Sequence, residues 1–117
     1  MFDRLKTANQ NIQFNLNIQC SKKAEDVELA LYRIIQEAIN NALKHASPNK
    51  IDVNLIEVDK LIELSIKNDG QSPTHLCNAG HFGIEGMQER AHFVGGELSF
   101  EIPQDGGLIV QLKISKS

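Results

Sequence analysis

Glu37, Asn41 and Lys44 are the residues whose types and spacing are best suited to chemistry, because they put an acid, an amide and a base on one predicted helix. Four positions turn an α-helix by about 400° and seven by about 700°, so the three side chains fall within a sector of roughly 60°. An acid in that sector can position or deprotonate a nucleophile, an amide oxygen suits Mg²⁺, and an ammonium group contacts phosphate. Those are the needs of a nucleotide site. The same spacing also describes a solvated face with weak charge pairing, which is the commoner case for an acid and a base seven apart. The segments that follow downstream decide between the two.

Asn68-Asp69-Gly70 ends an apolar run. A side-chain carbonyl or carboxylate at a strand end can accept a hydrogen bond from the exocyclic amino group of adenine, and glycine lets the backbone approach the ring. Alone, the tripeptide is a turn signature. Gly80-His81-Phe82-Gly83-Ile84-Glu85-Gly86-Met87 enters a second helix, whose first backbone amides are uncompensated donors suited to phosphate oxygens. Gly80, Gly83 and Gly86 remove side chains that would block that approach. The segment has neither the lysine of a P-loop nor the early position of a dinucleotide fingerprint.

The elements that position these residues follow from periodicity. Ile12, Phe14, Leu16 and Ile18 alternate with Asn and Gln, as in a half-buried strand. Glu25-Asp26 then open a helix over about 24–46, with Val27, Ala30, Leu31, Ile34, Ile35, Ala38, Ile39 and Ala42 on its apolar face. Pro48 stops it. Strands 50–58 and 61–68 form a hairpin turning at Asp59-Lys60, and 70–83 reads as a loop able to act as a lid. A helix from Ile84 to Val94 ends at Gly95-Gly96, and strands 97–102 and 108–114 close the chain. Five strands and two helices in this order predict an α/β sandwich, with an open, largely antiparallel sheet covered by helices on one face.

The 117 residues fit one domain, with residues 1–10 read as a linker and 11–117 as the folded unit. Twelve basic against fifteen acidic side chains give a net charge of −3, which excludes a nucleic-acid surface built on general positive charge. Phosphate binding must then come from local geometry. Cys20 and Cys77 fit no disulfide framework or zinc pattern, and no apolar run reaches membrane-spanning length, so a cytoplasmic protein is expected.

Taken together, Glu37, Asn41 and Lys44-His45, then Asn68-Asp69-Gly70, then Gly83 through Met87 with Glu89-Arg90, resemble the motif boxes of the GHKL ATPase superfamily. They most resemble the catalytic ATP-binding domain of bacterial sensor histidine kinases of the NarL-partner type, over about residues 12–114. The runs Tyr32 to Ala38, Lys44-His45-Ala46 and Gly86-Met87-Gln88-Glu89-Arg90 carry that likeness most specifically. The resemblance implies the Bergerat fold, binding of ATP and Mg²⁺, and transfer of the γ-phosphoryl group to a histidine on a separate dimerisation domain. It implies that Asn41 coordinates Mg²⁺, Glu37 positions or activates the attacking group, and Lys44 and His45 face the phosphates. Asn68 or Asp69 faces adenine. Gly70 lets the backbone approach the ring, Gly83 and Gly86 form the hinge and phosphate-contacting turn beside Ile84 and Met87, and Gly107 packs below the adenine pocket.

The chain departs from that pattern at four places: Asn68 replaces an aspartate, Ser72 and His81 stand where glycines are expected, and Leu108 replaces a threonine. His45, His75, His81 and His92 all lie inside the nucleotide domain, so the phosphoacceptor histidine is expected in a part of the parent kinase outside this chain. That parent, whose membrane anchoring lies outside what this chain decides, would also work with a response regulator, and this piece alone is expected to be a monomer. A noncatalytic, weakly nucleotide-binding interaction module and a serine kinase of the anti-sigma-factor branch are the other readings.

Overall fold

The computed structural model describes residues 12–21, 23–72 and 84–115. The linker expected over 1–10 and most of the expected lid loop lie outside these. The elements are β1 (Gln13–Gln19), α1 (Glu25–Asn41) continuing into a π-helical turn (Ala42–Ala46), β2 (Lys50–Val58), β3 (Leu61–Asn68), α2 (Ile84–Phe93), β4 (Gly96–Glu101) and β5 (Leu108–Ser115).

The five strands form one sheet in the order β1-β2-β3-β5-β4. Only β1 and β2 run parallel, joined across α1; the other three pairings are antiparallel. The expected hairpin turns where the sequence placed it, with Val58 opposite Leu61 and Asp59 at φ 55°. Alternation along the strands sets the two faces of the sheet. Ile51, Val53 and Leu55 of β2, Ile62, Leu64 and Ile66 of β3, and Val110, Leu112 and Ile114 of β5 are buried in one cluster with Leu31, Ile34, Ile35, Ala38 and Ile39 of α1 and Ile84, Met87 and Ala91 of α2. The opposite face carries Asp52, Asn54, Glu63, Ser65, Lys67, Gln111 and Lys113 and is partly or fully exposed. The result is the predicted two-layer α/β sandwich, with both helices on one side.

Two expectations are corrected. The half-buried pattern of β1 holds for Phe14, but Leu16 and Ile18 are exposed, because β1 is an edge strand and the helices leave its far half uncovered. The first helix also does not run as uninterrupted α-helix to 46. Its α-helical part ends at Asn41, and the last five residues form the π turn, closed by Ser47 in the left-handed conformation at φ 48°. Its start has no side-chain cap. Instead, Lys23 pairs with Glu57 of β2 while Ser21 donates its hydroxyl to the same carboxylate. No described helix is long and apolar enough to cross a membrane.

Candidate nucleotide site

The site residues gather in two neighbouring regions, one at an end of the sheet and one between the helices. At the sheet end, Asn68 closes β3 and is 7% exposed; its Oδ1 accepts the backbone N–H of Gly70 at 2.9 Å. Asp69 is turned the other way. Its Oδ1 accepts the backbone amides of Asn49 and Lys50 at 2.8 and 2.9 Å, tying the β3 exit to the β2 entry. The Lys50 amide, helped by that of Asn49, holds the Asp69 carboxyl below its ordinary value. Of the two residues predicted to face adenine, Asp69 is therefore engaged in holding the backbone.

Glycine is required twice in this region for steric reasons. A Cβ on Gly70 would lie 2.2 Å from the carbonyl oxygen of Ala46, so the strand end lies directly on the π turn, and the Gln71 amide donates to the same carbonyl at 2.8 Å. A Cβ on Gly107 would lie 2.1 Å from the Asn68 carbonyl oxygen, and Gly107 adopts φ +88°, which L side chains rarely adopt. The late glycine predicted to pack beneath the pocket packs against the backbone of Asn68. Leu108, at the position of the expected threonine, pairs with Asn68 across the β3–β5 ladder.

α1 brings its own residues to this end. Asn41, its last α-helical residue, is 9% exposed, Glu37 one turn earlier is half-buried, and Lys44 in the π turn is exposed. The predicted stripe is thus graded in burial and not uniform. The π turn also changes the angular step after Asn41, so the 60° sector holds for Glu37 and Asn41 and not for Lys44. The His45 side chain, Gly80 and Gly83 lie outside the described residues.

The second region is a cleft of about 240 Å³ between α1 and α2, lined by Arg33, Gln36, Glu37, Gly86, Met87 and Arg90. Met87 and Ile84 are buried and anchor α2 to the core, so the predicted contact residues Ile84 and Met87 serve packing. Gly86 is exposed, and a Cβ there would meet nothing within 4 Å. Glu37 and Gly86 are the expected site residues here, whereas Arg33, Gln36 and Arg90 belong to the runs that carry the family resemblance without a role assigned by it. Arg33 stands four residues before Glu37 and Arg90 four after Gly86, the helical spacing that brings them to the same cleft. His92 is exposed on α2.

The fold recurs in solved histidine kinase structures. The histidine kinase domain of a blue-light-activated histidine kinase from Erythrobacter litoralis matches with a TM-score of 0.80 at 18% identity, covering 97% of this chain and 58% of that one. The ATP-binding domain of PrrB from Mycobacterium tuberculosis matches with a TM-score of 0.81 at 17% identity, covering 98% of this chain and 88% of that one. The histidine kinase AdeS of Acinetobacter baumannii matches at 0.70 and 16%, covering 99% and 63%. The chain spans 58% and 43% of the length of the two Erythrobacter litoralis chains. Residues 26–117, most of the chain and all of the site described above, match the family of histidine kinase-, DNA gyrase B- and HSP90-like ATPases, and the chain belongs to that family.

Proposed function

We propose that this chain is the ATP-binding catalytic domain of a two-component sensor histidine kinase of the NarL-partner type, which passes the ATP γ-phosphoryl group to a histidine on a separate domain. The observation that carries this reading is the packing of Gly70 on Ala46, in the π turn that follows Asn41, together with that of Gly107 on Asn68 at the same end of the sheet. The likeness to histidine kinase domains supports the choice of that branch within the ATPase family.

The residues present fit Mg·ATP. Asn68 takes the adenine-facing role, since its Oδ1 retains a second lone pair after accepting from Gly70, whereas Asp69 holds two backbone amides. Asn41 offers an amide oxygen to Mg²⁺, and Lys44 an ammonium group to the phosphates. Gly86 leaves the first turn of α2 open for phosphate approach. When bound, Mg·ATP supplies the transferable phosphoryl group and partial neutralisation of its charge. A neutral imidazole is already nucleophilic, so Glu37 acts by orienting it more than by removing a proton.

Titration of Mg·ATP against the chain tests the reading. Wild type binds in a Mg²⁺-dependent way; Asn41→Ala loses most of that dependence, and Asn68→Ala weakens binding with or without Mg²⁺. Absence of Mg²⁺-dependent binding by wild type up to millimolar nucleotide sinks the proposal. Transfer to an added phosphoacceptor domain, with and without Glu37→Ala, then isolates the chemical step. Glu37→Ala is expected to slow transfer about 100-fold while leaving nucleotide affinity in place.

A further inference from the structure

β1 and β4 are the two edge strands of the sheet, and they differ in how they are guarded. β4 carries Glu97 and Glu101, whereas β1 contains no charged residue and no proline. Charge and proline are what usually keep an edge strand from pairing with another chain. β1 also exposes apolar surface on the face that carries the helices: Leu16, beside buried Val53, is 37% exposed, and Ile18, beside buried Leu55, is 51% exposed. Asp52 of β2, which accepts from the Asn15 amide at 2.7 Å, stands one strand behind the edge.

The backbone shows which groups that edge offers. Gln13 donates its N–H to the Asn49 carbonyl at 2.9 Å, within the parallel β1–β2 pairing. Backbone groups alternate sides along a strand, so Gln13, Asn15, Asn17 and Gln19 bond to β2, and the N–H and C=O groups of Phe14, Leu16 and Ile18 point out of the sheet. Among the described residues β1 pairs with β2 alone. Addition of a further strand would satisfy the outward groups.

The order of side chains along β1 names that strand. β1 reads QFNLNIQ, which keeps the same residue classes when read from either end. Turned about a two-fold axis at Leu16, it places Gln13 opposite Gln19, Phe14 opposite Ile18, Asn15 opposite Asn17 and Leu16 opposite its own copy. Every pair is like with like. The Leu16 pair and the two Phe14–Ile18 pairs fall on residues whose backbone groups face outward, so each exchanges two N–H···O bonds. Asn15 and Asn17 fall on the closer, non-hydrogen-bonded positions, where their amides can bond across the axis. No like charges meet, and Leu16 and Ile18 lose contact with water.

We infer that β1 is a self-pairing edge: two copies of this chain join antiparallel through β1, about a two-fold axis at Leu16, and continue their five-stranded sheets into one. A pair of seven-residue strands lies at the low end of specific interfaces, below about 1,200 Å², so the dimer is weak and reversible. The monomer expected for this piece is then its dilute form. No residue of β1 lines the interhelical cleft or the sheet end, so pairing leaves Mg·ATP affinity unchanged.

Sedimentation equilibrium of wild type between about 10 μM and about 1 mM should show the mass rising from 13.0 kDa towards twice that value. Leu16→Lys and Leu16→Glu should each stay monomeric, because like charges then meet about 5.5 Å apart, while an equimolar mixture of the two should pair, and less so in added salt. Leu16→Pro removes an outward N–H without touching the β2 ladder and should also abolish pairing. In a Cys20→Ser, Cys77→Ser background, Leu16→Cys should form an intermolecular disulfide on mild oxidation. Ile18→Cys should not, since its two copies lie about 13 Å apart along the strands. Thermal melts check that each variant is folded, and if the charged variants do not fold, the cysteine pair decides. Wild type that stays monomeric throughout that range leaves the edge to a foreign strand and overturns the inference. So does a dimer retained by folded Leu16→Lys, or Ile18→Cys crosslinking as readily as Leu16→Cys.

Discussion

The sheet end and the interhelical cleft are neighbouring regions built in opposite ways. At the sheet end the parts are held by backbone: Gly70 lies on the Ala46 carbonyl, Gly107 on the Asn68 carbonyl, and Asp69 on two amides of the β2 entry. In the cleft, Glu37 and Arg90 form no ion pair among the described residues, and the space beside Gly86 is open. Close backbone contacts give the first region a fixed shape, whereas the side chains of the second are held by fewer contacts.

The strongest way to break that contrast is Gly107→Ala. Its Cβ would meet the Asn68 carbonyl at 2.1 Å in a left-handed backbone, so a loss of about 3 kcal/mol or more is expected by urea denaturation. A loss under about 1 kcal/mol would show that the sheet end yields easily. Next in size is Asp69→Asn, with an expected cost of about 1 kcal/mol, since an exposed carboxylate accepting two amides is replaced by a weaker acceptor. Because the Asp69 carboxyl is lowered from 3.8, its contribution is present in full above that pH and lost as pH falls through the lowered value. The variant should accordingly lose less stability than wild type on acidification below about pH 4, as read from thermal melts.

In the cleft, Gly86→Ala should stabilise the fold by about 0.5 kcal/mol, because the new methyl group meets nothing and helix propensity improves. If Mg·ATP affinity falls in the same protein, the bare backbone at Gly86 serves phosphate. The smallest effect belongs to Glu37→Gln, expected to leave stability within about 0.5 kcal/mol of wild type. A larger destabilisation would mean that the Glu37 carboxylate supports the fold, and the contrast between the regions would blur.

The elements were legible in the sequence because burial leaves a period. Alternation in Ile51-Asp52-Val53-Asn54-Leu55 and the α1 spacing of Ala30, Leu31, Ile34, Ile35 and Ala38 report which face is covered. β1 alternates just as clearly, yet Leu16 and Ile18 are exposed, since a period reports which face a residue takes and says nothing of how far a neighbouring layer extends. The roles of Asn68 and Asp69 could not be separated by composition. Both are short polar acceptors at a turn, and only the return of β2 beside β3 gives Asp69 its two amides. Likewise Ala42-Leu43-Lys44-His45-Ala46 has no feature that distinguishes a π turn from a last α turn. The arginines went unassigned because their meeting depends on how α2 packs on α1, a distance of over fifty residues in sequence.

The ion pair of Lys23 with Glu57 has a mechanical consequence. It pins the start of α1 to the far end of β2, while the Gln71 amide ties Ala46, the finish of the same helical segment, to the β3 exit, which Asp69 in turn ties to the near end of β2. α1 is thus a beam fixed at both supports to one rail of the sheet. α2 has no comparable pair of fastenings among the described residues. Any widening or narrowing of the gap from Glu37 to Gly86 is then a displacement of α2 against a stationary datum, and spin labels on those two helices would read it as a single coordinate.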